Sequence, residues 1–239
     1  MADNRFKQFV KIYKVHIIIW VIGLIVLGNF VYKKVTSPTY LLNGILLGSE
    51  KGKDEAAKLA EDFAVSIGYG DTVYAVNLDT RYSYTPNNKD KADDNFKATE
   101  AIITQHEAEQ LDFVIGPQTS MLDIAYNAYF TELSTYFSAQ QYELLKPYIL
   151  YIDQAVMTQL EDAYENKEDL SSIALPDPTR PDEMKEPVAV LIDFSSIPEI
   201  AAIYADLNEP AVMGIMTEAP NSDMLLKFIS YLTNENKGE

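Results

Sequence analysis

Short apolar runs alternate along most of this chain with segments whose apolar positions recur at helical spacing. TYLLNGILLG (39–48) reads as a largely buried strand ending at glycine, set off from what precedes it by Ser37-Pro38. KDEAAKLAEDFAVSIG then places Ala56, Leu59, Ala60, Phe63 and Ile67 on one helical face, with Gly68 as the stop. TVYAVNLDT (72–80) predicts a second strand, and RYSYTPNNKDKADDN a polar loop rich in turn formers. A second helix is expected over 94–110, with Phe96, Ile102 and Ile103 among its buried positions, and it leads into LDFVIG, a third strand. The order βαβαβ predicts parallel pairing with helical crossovers.

Beyond the Gly116-Pro117 turn, QTSMLDIAYNAYF and SAQQYELLKPYI predict two more helices, the second closed by Pro147. LYID reads as a short strand and AVMTQLEDAYEN as a helix. LPDPTRPDEMKEP (175–187) changes the texture, because its four prolines hold an exposed connector extended. PVAVLIDFSS then predicts a strand, IPEIAAIYADL a helix, PAVMGIMT a last strand and NSDMLLKFISYLTN a closing helix capped by Asn221 or Ser222. No repeat at a solenoid period interrupts this pattern. The expectation is an α/β domain in two halves, divided between Phe130 and Pro187.

One apolar run differs from the rest. KVHIIIWVIGLIVLGNFVYKK contains 18 residues, 15–32, without formal charge apart from a protonatable His16. As helix they extend about 27 Å, close to the hydrocarbon thickness of a bilayer. Tyr13 and Tyr32 bracket the run where amphipathic rings favour the interface. The exit, NFVYKKVTSP, offers no small-x-small cleavage site, so the segment is expected to stay as an uncleaved signal-anchor. Arg5, Lys7, Lys11 and Lys14 precede it and only Lys33 and Lys34 follow, which favours a cytoplasmic N-terminus. The expected organisation is a cytoplasmic segment at 1–14, a transmembrane helix at 15–32, a linker at 33–38 and an extracytoplasmic domain at 39–239. This describes a single-pass cell-membrane protein.

Composition narrows the chemistry. Apolar residues make up 47% of the 239, enough for a proper core despite a net charge of -17. Past residue 34 the balance is 13 Lys and Arg against 35 Asp and Glu, about -22, which argues against nucleic acid as a partner. Cysteine is absent, which excludes disulfides, thiolate metal sites, a Cys nucleophile and a lipid-bearing Cys. No G-x-S-x-G, H-E-x-x-H or G-x-G-x-x-G motif occurs, so neither catalytic residues nor a cofactor are expected. GSEKGKD (48–54) fails as a phosphate loop, with its glycines too close and Asp54 where Ser or Thr should stand. DKADDN and DPTRPDE lack calcium-loop spacing and read as solvated loops, leaving no predicted metal site.

What remains is a pair of strand ends. Ligands in an open α/β sheet lie beyond the carboxyl ends of the strands, where helices present unpaired N–H groups. At the end of LDFVIG, Gly116 and Pro117 allow close approach of backbone, and Gln118, Thr119 and Ser120 supply neutral hydrogen-bonding groups. LIDFSS repeats the pattern with Asp193, Ser195 and Ser196. These eight residues are the candidate ligand contacts, and the competing expectation is that Thr119 or Ser120 only caps a helix. Tyr82, Tyr84, Tyr126 and Tyr129 either line a groove or sit at the core's edge.

LDFVIGPQTSMLDIAYNAYFTELSTYFS and AVMGIMTEAPNSDMLLKFISYLTN resemble segments of the type II periplasmic binding protein family, as in extracellular solute-binding proteins of Gram-positive bacteria. The resemblance spans residues 40–235, and LPDPTRPDEMKEPVAVLIDFSS is similar to a segment of small single-span membrane proteins carrying such a domain. It implies two α/β lobes closing on a small solute, captured without catalysis, with the 116–120 and 193–196 turns as cleft contacts. The chain departs from transport-associated members in its shorter ectodomain and in having an anchor helix in place of a lipidated cysteine. The alternative is a pocket-less interaction module for a membrane-protein partner.

Overall fold

The apolar runs become six strands of one sheet. They are β1 (Leu42–Leu46), β2 (Val76–Asp79), β3 (Phe113–Pro117), β4 (Ile149–Asp153), β5 (Pro187–Asp193) and β6 (Ala211–Ile215), paired in the order β2-β1-β3-β6-β5-β4. The structure, a computed structural model, describes residues 40–69 and 76–233. The anchor expected at 15–32 and its flanks lie outside the described residues, as do positions 72–75 of the second expected strand. Among the described residues no helix is long and apolar enough to cross a membrane.

β1 pairs in parallel with both β2 and β3, as the βαβαβ order predicts. The chain steps outward from β1 to β2 and then back across β1 to β3, so crossovers of one hand must place their helices on opposite faces. Burial shows this. Phe63 of α1 (Lys53–Ser66) packs with Leu42, Leu46 and Phe113, whereas Ala98 and Ile102 of α2 (Ala92–Glu107) pack with Ile45 and Val114. Phe96, expected to be buried, is 68% exposed. The buried stripe of α2 runs through 98 and 102, and a residue two positions earlier lies some 200° around the helix.

The second half adds α3 (Gln118–Ala125), α4 (Leu133–Tyr136), α5 (Ala139–Leu145), α6 (Gln154–Glu165), α7 (Pro198–Ile203) and α8 (Ser222–Leu232). α3 and α6 join α2 on one face of the sheet, and α4, α5, α7 and α8 join α1 on the other. β6 runs antiparallel between β3 and β5, and β4 antiparallel to β5. This corrects the expectation of two lobes: β6 joins both halves into one continuous sheet, and the described residues from 40 to 233 fall in one compact unit. A bulge opposite Leu150 and Tyr151 turns Val190 and Leu191 to the same face, which leaves Ile192 and Phe194 facing α8.

Helix ends follow local chemistry. Gly68, at φ +84°, takes the left-handed position after α1, while Tyr69 N–H donates to Ala64 O at 2.8 Å and Gly68 N–H to Val65 O at 3.0 Å. Gly52, in the stretch that fails as a phosphate loop, serves packing. A Cβ there would lie 2.1 Å from the backbone oxygen of Ile203 in α7. Asp153 ends β4 with a buried carboxylate that accepts N–H bonds from Ala155, Lys185 and Glu186 at 3.1, 2.9 and 3.0 Å. Burial pushes this carboxyl's pKa up, but the three donors and the nearby Lys185 charge outweigh it and hold it below the ordinary value.

Two outcomes are expected. Gly52→Ala should destabilise the protein by about 2 kcal/mol or more, because the new methyl meets backbone rather than a yielding side chain. Gly68→Ala has open space and only the left-handed strain of about 1 kcal/mol, so equal losses for the two in denaturant melts would refute the close-approach account. Asp153→Ala should cost about 2 to 4 kcal/mol at pH 7 by stranding its donors. The folded pKa is depressed, so the ionised form's contribution is present above the unfolded value near about 4 and lost as pH falls through the folded one. The gap between wild type and variant should therefore shrink below about pH 4; a constant gap would contradict the assignment.

Candidate functional site

The register brings the two predicted strand ends to the same edge of the sheet. Gly116 and Asp193 both stand opposite Val212 of β6, on either side of it. Two strand spacings separate them, roughly 10 Å. They nevertheless do different work, because the chain entering β6 passes between them.

At the β3 end, the protein supplies its own anion. The carboxylate of Glu209 accepts the Thr119 N–H at 2.9 Å and the Thr119 hydroxyl at 2.8 Å, occupying the N-terminus of α3. Gln118 N–H donates to Pro210 O at 2.9 Å, and the buried Ser120 hydroxyl donates to Tyr84 O at 2.7 Å. Neither Thr119 nor Ser120 caps the helix with its side chain, and Pro117 stands at the cap position. Gly116 is buried, and a Cβ there would meet Leu47 at 3.0 Å and the Met121 sulfur at 3.3 Å. Its smallness serves packing.

The tyrosines sort to the edge of the core. Tyr82, Tyr84 and Tyr129 pack half-buried against the α2 side, and the buried Tyr126 hydroxyl accepts the Asp153 N–H at 3.4 Å. Tyr84 donates its hydroxyl to Asp123, and burial first, then that bond, raises its pKa.

The β5 end opens into a cleft. Asp193 accepts the Ser195 N–H at 2.8 Å and the Ser195 hydroxyl at 2.6 Å through the same oxygen, Oδ1, a turn that fixes the carboxylate's direction. Among the described residues Oδ2 takes no partner. Asp193 and Ser196 line a cleft of about 410 Å³ on the α8 face of the sheet. Its floor is core: Phe137, Phe194 and Ile197. One wall is Leu144 and Leu145 of α5 with Tyr148 just beyond, and the other is Leu226, Ile229 and Ser230 of α8 with Leu232 and Thr233 at its end. Leu144 is 58% exposed and Tyr148 48%, so the rim presents apolar surface to solvent.

Of the eight candidate contacts, Asp193 and Ser196 line this cleft, Ser195 supports Asp193, and Gly116, Pro117, Gln118, Thr119 and Ser120 do not line it. The walls from α5 and α8 were not predicted as site residues. A signal for them exists in NSDMLLKFISYLTN, where Met224, Leu225, Leu226, Phe228, Ile229, Tyr231 and Leu232 exceed what one buried helical stripe requires. Among the described residues no group of three or more His, Asp or Glu is placed to hold a metal ion.

No family model and no curated protein sequence matches the chain. A distant structural match is an ABC transporter substrate-binding protein from Bradyrhizobium japonicum USDA 110, with 12% identity and a TM-score of 0.36, covering 81% of this chain and 78% of that one.

Proposed function

We propose that this protein captures a small, largely apolar ligand in the cleft between α5 and α8, without acting on it chemically, and that residues 15–32 hold the domain at the outer face of the cell membrane. The cleft itself carries the reading. Its volume of about 410 Å³ falls in the range of small-molecule sites, and its apolar walls close around one fixed carboxylate. A few convergent polar groups on an apolar surface orient a ligand; a catalytic role would need a nucleophile with a base, and among the described residues no hydrogen-bonded pair of that kind lines the cleft.

Capture is tested by thermal unfolding of the full chain against amino acids, peptides, sugars, anions and divalent cations. A ligand at about 100 times its dissociation constant adds roughly 2.7 kcal/mol, a visible rise in midpoint. A rise confined to one chemical class supports capture. A cooperative melt that no compound moves would refute it and favour an interaction module in which the exposed Leu144 and Tyr148 meet a protein partner.

The absence of cysteine makes the membrane arrangement directly testable, since one introduced thiol is then the sole labelling site. Glu161→Cys, at an exposed position on α6, should react with an impermeant maleimide on intact cells. Labelling only after permeabilisation would reverse the orientation.

A further inference from the structure

We infer that the ligand is an apolar amine, with an aromatic or aliphatic body against the walls from α5 and α8 and a protonated amino group against Asp193. This rests on reading the cleft as a ligand site, and it adds the charge of the ligand. Among the described residues Asp193 is the charged one lining the cleft, and no Lys, Arg or His lines it. Lys146, just past α5, lies 3.2 Å from Glu143, and Lys227 is exposed on α8 beside Leu226; neither lines the cleft.

The carboxylate decides between ligand classes. A carboxylate offers about four acceptor positions, and Ser195 uses two of them on Oδ1. The Ser195 contacts hold the group in place without neutralising it. An apolar ligand without a donor would cover Asp193 and strip water from a charge left unpaired, which is costly. An anion would meet repulsion from that carboxylate. An ammonium replaces the lost water with a charge-assisted hydrogen bond, roughly twice as strong as a neutral one. The net charge of -17 further raises the local concentration of cations over anions.

The test is calorimetric titration of the full chain, in nanodiscs of phosphatidylcholine, with 4-phenylbutylamine, 4-phenylbutan-1-ol and 4-phenylbutyrate. These three share a body and differ in headgroup charge. The amine should bind at least tenfold more tightly than the alcohol, with the carboxylate weakest. Asp193→Asn keeps an amide oxygen for the Ser195 N–H, and should bring the amine down to the alcohol's affinity while leaving the alcohol unchanged. An alcohol or carboxylate that equals the amine, or a preference for the amine that survives Asp193→Asn, overturns the inference. Failure of all three to bind overturns it as well. If the wider thermal screen has then found a neutral or anionic ligand, capture stands; if it is silent, capture falls too.

Discussion

A carboxylate with no exposure to solvent, Asp112, ties the first strand to the last helix. It accepts the backbone N–H groups of Asn43 and Asn221, each at 2.8 Å, and the Asn221 side-chain amide at 3.2 Å. Burial pushes its pKa up, and these donors work against that without cancelling it. Asn43 extends the network, donating to Gln105 and to Gln110 O and accepting from Asn77 at 2.6 Å. The cluster thus pins β2, β1, α2, β3 and the start of α8 at one edge of the sheet. α8 has 11 residues, about 16 Å of helix, nearly the length of a five-residue strand. Fixing its start beside Asp112 therefore sets where its last turn arrives, and that last turn is a wall of the cleft at the opposite edge.

Ring packing fixes the same helix laterally. A Cβ on Gly44 would strike the Phe113 ring opposite it, so the ring lies directly over bare backbone. Phe113 stacks on Phe228 of α8 at 5.4 Å, and Phe228 meets Phe63 of α1 edge-on at 5.0 Å. On the other face Gly214 accommodates Phe130 in the same way. Aromatic contacts of this kind add about 0.5 to 1.5 kcal/mol each beyond the area they bury, and they restrict how far α8 can slide. The cleft is consequently a gap between rigid elements, framed by α5 and α8.

Much of this was legible in the chain because strand and helix patterns report which face is buried. They do not report which strand lies alongside. Residues 211–215 read as a strand, but nothing in AVMGI says that it enters antiparallel between β3 and β5, and so two halves became one sheet. The Gly68 stop was legible since glycine advertises a left-handed residue. Glu109 and Lys167 take the same conformation, at φ 53° and 58°, and conceal it. In the candidate site, Asp193 and Ser196 were visible as a strand end at the sheet's carboxyl edge. The 116–120 turn looked equivalent, because Glu209, the group that fills it, lies 90 residues away from Thr119.

That difference between two carboxylates at one sheet edge governs what the edge can hold. A helix N-terminus carries partial positive charge and ordinarily favours an anion. Here Glu209 takes that place on α3, so its exposed N–H is already engaged and its charge already met. Asp193 stands on the same sheet row with the cleft beside it and only Ser195 for support. The positive end of α3 is thereby closed from within, while at the neighbouring strand end an acidic residue lines the cleft.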